Sequence, residues 1–299
     1  MTNSPPPEMH GILLVDKPSG PTSAAVVARV KRALGQRKVG HLGTLDPFAT
    51  GLLPVCLGNA TKLAQFLADD EKRYVGEIVL GIETDTLDGT GRVVSTHPVP
   101  ALSTESLARA VASLRGDILQ TPPMYSALKR GGVPLYRLAR AGRDVAREAR
   151  GVRIAAFDVA LIAHDRIAFA VTCSRGTYVR VLAQDLGAAL GTGAHLATLR
   201  RTACGPFAVR DAIPLERVSP DTASLVAPSA ALSRYRAVVA DGAVIAAIRR
   251  GQQWALRALG VPRHVPEIVR VESEQGDLVA MAEAKAGAQS WRLARVLDC

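Results

Sequence analysis

Aromatic side chains are scarce in this chain of 299 residues, with two Trp, five Tyr and five Phe making up 4% of it. A protein that holds flat ligands by stacking has few side chains here with which to do so. Cysteine is scarce too. Cys56, Cys173, Cys204 and Cys299 are scattered, with no C-x-x-C pair and no His at zinc spacing. That excludes a disulfide framework and a structural zinc, and suits buried thiols in a reducing, cytoplasmic compartment. No run of about 18 apolar residues occurs, so no membrane span is expected. Residues 1–10 are polar and Pro-rich without an apolar segment, the composition of a flexible tail and not of a signal peptide. Internal repeats, coiled-coil heptads and the Rossmann glycine fingerprint are all missing, and no motif calls for a nucleotide or metal cofactor.

Acidic residues are outnumbered as well: 27 Asp and Glu stand against 37 Lys and Arg, a net charge of +10. Such an excess suits a polyanionic partner, nucleic acid first, or it merely keeps the surface solvated. Its distribution favours a partner. Between Lys129 and Arg153 lie eight basic residues (Lys129, Arg130, Arg137, Arg140, Arg143, Arg147, Arg150 and Arg153) and two acids, Asp144 and Glu148. That segment is Pro-rich at its start and carries Gly131-Gly132, so residues 121–153 read as an insertion able to fold onto an RNA backbone, with a short helix near Leu135–Ala141.

Elsewhere the pattern alternates between strands and helices. Ile12–Val15 is a short apolar run, and Thr22 or Ser23 can cap a helix with apolar positions Val26, Val27, Val30, Ala33 and Leu34, stopped by Gly35. Strands are expected at Leu53–Leu57, Tyr74–Ile82, Arg153–Ala163 and Ile167–Cys173, and helices at Thr61–Ala68, 103–115 and Val179–Leu190. Asp88-Gly89-Thr90-Gly91 reads as a turn leading to Val93-Val94. Beyond residue 235 short strands such as Ile268–Val271 and Leu278–Met281 flank a Gly276-Asp277 turn, a small β module.

The stretch Gly40–Gly51 (GHLGTLDPFATG) stands apart. Three glycines, a proline and two threonines make it an ordered loop, and Asp46 is the one carboxylate within it. An Asp held in such a loop suits a nucleophile or a general base; Asp before Pro is equally a common turn or helix cap.

The run GHLGTLDPFATGLLPVCLG resembles the signature of the bacterial tRNA pseudouridine synthase B family. Further blocks agree in order: Asp16-Lys17-Pro18-Ser19-Gly20, Lys72-Arg73-Tyr74, Pro122–Lys129 (PPMYSALK), Cys173–Arg180 (CSRGTYVR), and Gly193–Leu196 continuing to Leu199–Thr202. The resemblance implies an α+β pseudouridine-synthase fold, with a mixed, largely antiparallel sheet flanked by helices. It divides the chain into a tail (1–10), a catalytic domain (11–234) and a PUA-like RNA-binding module (235–299). It implies isomerisation of the uridine at position 55 in the TΨC loop of tRNA, after the base is flipped out, without a cofactor, membrane or obligatory protein partner.

The same resemblance makes Asp46 the nucleophile, acting at C1′, at C6 or along a glycal route. Arg180 becomes its electrostatic partner, depressing its pKa; a cation in the first turn of a helix is otherwise disfavoured by the macrodipole. Tyr74 stacks on the base and moves protons, Tyr178 and Leu199 line the pocket, and His41 contacts RNA near the flipped nucleotide. Lys129, Arg130, Arg137, Arg140 and Arg143 meet the RNA backbone, and Lys17-Pro18 buttresses the loop. Leu42 and Ala24 depart from the family pattern away from this chemistry. Guide-dependent relatives share the Asp, Tyr and Arg blocks, and an RNA chaperone is the rival from another class.

Overall fold

The computed structural model describes residues 7–67, 71–287 and 290–297. Strand β1 (Gly11–Lys17) carries an unbroken apolar run because both its faces are covered: Leu13 and Val15 point into one core, Ile12 and Leu14 into another. Helix α1 (Ser23–Ala33) starts where the Thr22 side chain accepts from Ala25 N at 3.1 Å, and it ends at Leu34 before Gly35 in the left-handed region. Strands β2 (Val39–His41) and β3 (Thr50–Leu57) pair antiparallel and suspend the signature loop between them. A 3₁₀ turn (Gly58–Leu63) runs into α2 (Ala64–Leu67), where one helix to Ala68 was expected; Ala68 lies outside the described residues.

Strand β4 (Lys72–Leu80) is followed by a hairpin, β5 (Ile82–Thr84) and β6 (Val93–Thr96), around the Asp88 turn. Then come α3 (Thr104–Ser113), capped by Ser103, and β7 (Gly116–Gln120). The basic insertion forms a small hairpin, β8 (Lys129–Arg130) and β9 (Val133–Pro134), and helix α4 (Leu135–Arg140). Long antiparallel strands β10 (Arg150–Ala163) and β11 (Arg166–Cys173) lead to α5 (Val179–Ala189) and β12 (Ala194–Cys204). Short segments β13 (Phe207–Ala208), β14 (Ile213–Pro214), β15 (Leu225–Val226) and α6 (Pro228–Ala231) follow. The chain then builds β16 (Arg236–Val239), α7 (Gly242–Arg249), a 3₁₀ turn (Gln253–Leu259), β17 (Glu267–Glu272), β18 (Leu278–Ala284) and β19 (Arg292–Val296).

The large sheet runs β14-β1-β3-β12-β4-β11-β10-β7, with β2, β13 and β15 attached at its side. It is antiparallel except where β1 meets β14 and β12 meets β3, so the mixed, largely antiparallel α+β fold expected from the sequence is the one observed. Residues of α1, α3 and α5 (Val26, Val30, Val111, Leu182, Leu186) cover one face. On the other, Ile12, Leu14 and Leu52 meet Leu63 and Phe66, together with Leu278 and Met281 from the second, four-stranded sheet β16-β17-β18-β19 and Leu297 just after it. That sheet has its own core around Ile248, Leu256, Val269 and Val279.

Strand β12 lies at the centre, between β3 and β4. Its contact with β3 is close enough that a Cβ on Gly51, at φ +96°, would sit 2.3 Å from the Arg201 carbonyl oxygen. Residues 7–10 of the expected tail are held by hydrogen bonds. Residues 1–6 lie outside the described residues, but the buried Gln36 amide donates to Pro7 O (3.0 Å) and accepts from Met9 N (2.9 Å), and His10 Nδ1 accepts from Asn59 N (3.1 Å). A buried amide requires such partners, and it recruits them from the chain before β1. Cys56, Cys173 and Cys204 are buried free thiols, with burial pushing Cys56 up to about 12 and Cys173 to about 11; Cys299 lies outside the described residues. Among the described residues no helix is long and apolar enough to cross a membrane.

Candidate active site

The loop from Leu42 to Ala49 has no regular structure of its own, so its carbonyl groups need outside donors. Two buried cations supply them. Lys17 Nζ donates to Pro47 O (3.0 Å) and Ala49 O (2.7 Å), as well as to its neighbour Pro18 O (2.9 Å). Arg201 donates from Nε to Leu52 O (2.7 Å) and from its terminal nitrogens to Gly43 O (3.1 Å) and Thr44 O (3.5 Å). Ser23 Oγ both accepts from Leu45 N (2.8 Å) and donates to Leu45 O (3.0 Å), while Leu45 and Ala49 are sunk in the core. The loop is thereby tied to β1, α1 and β12, and Asp46 stands at its crest.

Asp46 meets Arg180 from the first turn of α5. Arg180 Nε lies 2.9 Å from Asp46 Oδ2, and a terminal nitrogen donates to Oδ1 at 3.2 Å, the two-pronged geometry of an Arg–carboxylate pair. The rest of the guanidinium is also engaged: it donates to Tyr125 O (2.8 Å) and Thr86 O (2.8 Å) and lies 3.5 Å from Asp88 Oδ2. Two carboxylates therefore offset a cation that the helix dipole disfavours. The exposures differ along the network. Arg180 and Asp88 side chains are 4% and 6% exposed, Asp46 34%.

This geometry reverses one expectation. Burial raises the Asp46 carboxyl above its ordinary range; Arg180 pulls it down, but the nearby Asp88 charge pushes it up again. The pair orients the carboxylate and lowers its pKa, as expected, but burial outweighs that effect and the net shift is upward. Burial also pushes the Tyr74 phenol to about 12, against the nearby Arg201 charge, and raises Tyr178. Lys17 is lowered to about 8 by burial, and His41 is lowered by burial and by Arg201.

Asp46, Tyr74, Tyr178, Arg180 and Leu199 line one cleft of about 420 Å³, with Lys72, Ala127, Leu128, Arg175 and Arg201, a size in the small-ligand range of ~300–1,000 Å³. Tyr74 comes from β4 and Leu199 from β12; Tyr178 is the residue before α5, its backbone held by Gln120 Oε1 at 3.0 Å. His41 is on β2, half-buried, with Nδ1 lacking a hydrogen-bond partner, and does not line the cleft. Lys129 and Arg130 are exposed on the hairpin, Arg137 and Arg140 on α4, and Arg143 just beyond its C-terminus. The first two line a second cavity of about 350 Å³ that shares Leu128 with the cleft.

Several residues of this site were not singled out in the sequence. Asp88 read only as a turn residue. It is buried because Oδ1 accepts from Thr86 Oγ1 (2.8 Å), Thr90 N (3.0 Å) and Thr90 Oγ1 (2.6 Å), in a turn where Leu87 adopts φ 64°. Tyr125 and Arg201 carried no signal beyond the blocks that contain them, and Thr86 lies in none of those blocks. An acid beside two Thr and two Gly in a tight turn was the available hint for Asp88. Among the described residues no cluster of His, Cys, Asp and Glu is arranged to hold a metal ion.

Comparison with known proteins adds the following. The model for the TruB family pseudouridylate synthase (N terminal domain) matches residues 31–179, and that for the tRNA pseudouridylate synthase B C-terminal domain matches residues 180–234. The chain is similar to the tRNA pseudouridine synthase B of Geobacter sulfurreducens, 42% identical over 304 residues, covering 97% of this chain and 100% of the relative. It is 49% identical over 214 residues to that of Opitutus terrae, covering 72% and 89% of the two chains. Among solved structures, the crystal structure of a Cbf5-Nop10-Gar1 complex aligns with a TM-score of 0.72 at 26% identity, over 97% of this chain and 84% of that one.

Proposed function

The chain belongs to the TruB family of tRNA pseudouridine synthases, and from that premise we propose that it acts on the uridine at position 55 in the TΨC loop, flipping the base out and using Asp46 as nucleophile. The observation that carries this reading is the Asp46 carboxylate, gripped by a buried arginine at the mouth of a cleft walled by two tyrosines. Flipping costs a few kcal/mol, recovered by a pocket that stacks the extruded base; Tyr74 and Tyr178 are the flat side chains available in this aromatic-poor chain.

The reaction is balanced within the nucleotide. The bond between C1′ and N1 breaks, the uracil turns, C5 bonds to C1′, and the proton lost from C5 is matched by one gained at N1. Addition to C1′, addition to C6 and removal of the C2′ proton toward a glycal all require an ionised carboxylate beside the sugar. Asp46 fits that role, with Arg180 fixing its orientation and sharing its charge. The Tyr74 phenol stays neutral over the working pH range, which suits it to stacking and to donating or relaying a proton. Lys129, Arg130, Arg137, Arg140 and Arg143 suit phosphate contacts of the RNA arm, His41 a contact near the extruded nucleotide, and residues 235–299 a second RNA-binding module.

The test is incubation of the purified protein with unmodified tRNA alone, mapping pseudouridine by chemical labelling. Modification confined to position 55 and abolished by Asp46→Asn supports the reading. Modification at another position, or turnover persisting in Asp46→Asn, refutes it.

A further inference from the structure

A groove of about 520 Å³ opens on the four-stranded C-terminal unit, beyond the segments that the two family models match. Both tryptophans of the chain line it. Trp254 stands on the 3₁₀ turn Gln253–Leu259, whose Ala255, Leu256 and Leu259 complete the local core. Trp254 itself is 61% exposed, so packing does not account for it. Trp291 is buried, yet its indole Nε1 has no hydrogen-bond partner. Arg257, exposed, lines the groove from the same turn.

The charge around the groove selects among occupants. Among the described residues that line it, Arg257 is the one charged side chain, and no Asp or Glu faces it there. An apolar peptide would use the indole but leave Arg257 uncompensated. A nucleotide uses both, stacking its base on the aromatic face and pairing its phosphate with arginine. We infer that this groove holds an unpaired nucleotide of the tRNA outside the reacting loop, its base on Trp254 and its phosphate on Arg257. The inference rests on tRNA being the substrate; it does not rest on which uridine reacts.

The experiment uses the full chain, an unmodified tRNA transcript and a TΨC stem–loop that lacks the remaining unpaired nucleotides. Trp254→Ala raises the ratio of KM for tRNA to KM for the stem–loop by about 5- to 100-fold, the effect of losing one base–aromatic stack; Trp254→Phe retains most of the wild-type ratio. Arg257→Ser raises the same ratio and flattens the log K against log salt slope for tRNA by about 0.7–0.9. In equilibrium titrations tRNA saturably quenches an emission component that Trp254→Phe lacks. An unchanged ratio in Trp254→Ala, as for a groove that serves a protein partner, overturns the inference, as does equal loss on both substrates or the absence of quenching. The quenching arm needs no turnover. If the wild-type protein gives no turnover on the stem–loop, the quenching arm judges the groove, and mapping on full tRNA judges the position-55 reading.

Discussion

Replacing Arg180 with Ala tests whether the site is a pair or a wider network. The change removes the partner of Asp46 and of Asp88 and the donors to Thr86 O and Tyr125 O. Asp46 is 34% exposed, so water replaces much of what it loses. Asp88 is 6% exposed and would be left as a buried charge beside an empty space. Breaking a buried pair in this way costs about 3–5 kcal/mol, most of it from Asp88 and not from Asp46. At roughly 2–4 °C per kcal/mol, the melting temperature should fall by ~6–20 °C. Asp46→Ala leaves Arg180 with Thr86 O, Tyr125 O and Asp88 and should cost less than about 1 kcal/mol. The double change Asp46→Ala with Arg180→Ala should then recover little. Asp88→Asn with Arg180→Ala should recover part of the loss, because it removes the stranded charge. Thermal melts of the four variants, followed by circular dichroism, decide the matter. An Arg180→Ala melt within 2 °C of wild type, or equal recovery in the two double variants, would refute this distribution of energy.

Three further outcomes are expected. Because Asp46 must be ionised to act and its carboxyl is raised by burial, kcat/KM should fall on the acid side with an apparent pKa above the ordinary carboxylate value near 3.8; a limb below 3.8 in a pH–rate profile would contradict this. Lys17 titrates near 8 when folded and near 10.5 when unfolded, so between those values the unfolded chain holds a proton that the folded one has lost. Its contribution to stability therefore rises with pH across that window, and urea midpoints should show a rise that Lys17→Met flattens. Replacing Arg137, Arg140 and Arg143 with Ser should weaken tRNA binding and flatten its salt slope by roughly two to three units; an unchanged slope in filter-binding assays would return the segment to a solvated surface.

Part of this molecule can be read without its structure, because some of its determinants are local. Thr22 and Ser103 cap helices whose apolar spacing is plain, and Gly35 stops the first of them. The glycines and Pro47 keep the Asp46 loop irregular, and the excess of arginine over acid in residues 129–153 is a property of composition. Tertiary structure decided what depends on distant partners. β12 hides its strand character behind His195, Arg200 and Arg201; the buried two are tolerable at the sheet's centre because each finds an acceptor, Ile82 O for His195 and the loop carbonyls for Arg201, while the part-exposed Arg200 pairs with the Asp16 carboxylate. Asp88 became part of the site only when the hairpin of β5 and β6 folded against α5, 92 residues further on. The direction of the Asp46 pKa followed the same rule. Pairing with Arg180 argued for a depressed value, but desolvation and a second carboxylate act through space, and neither has a signature in the order of residues along the chain.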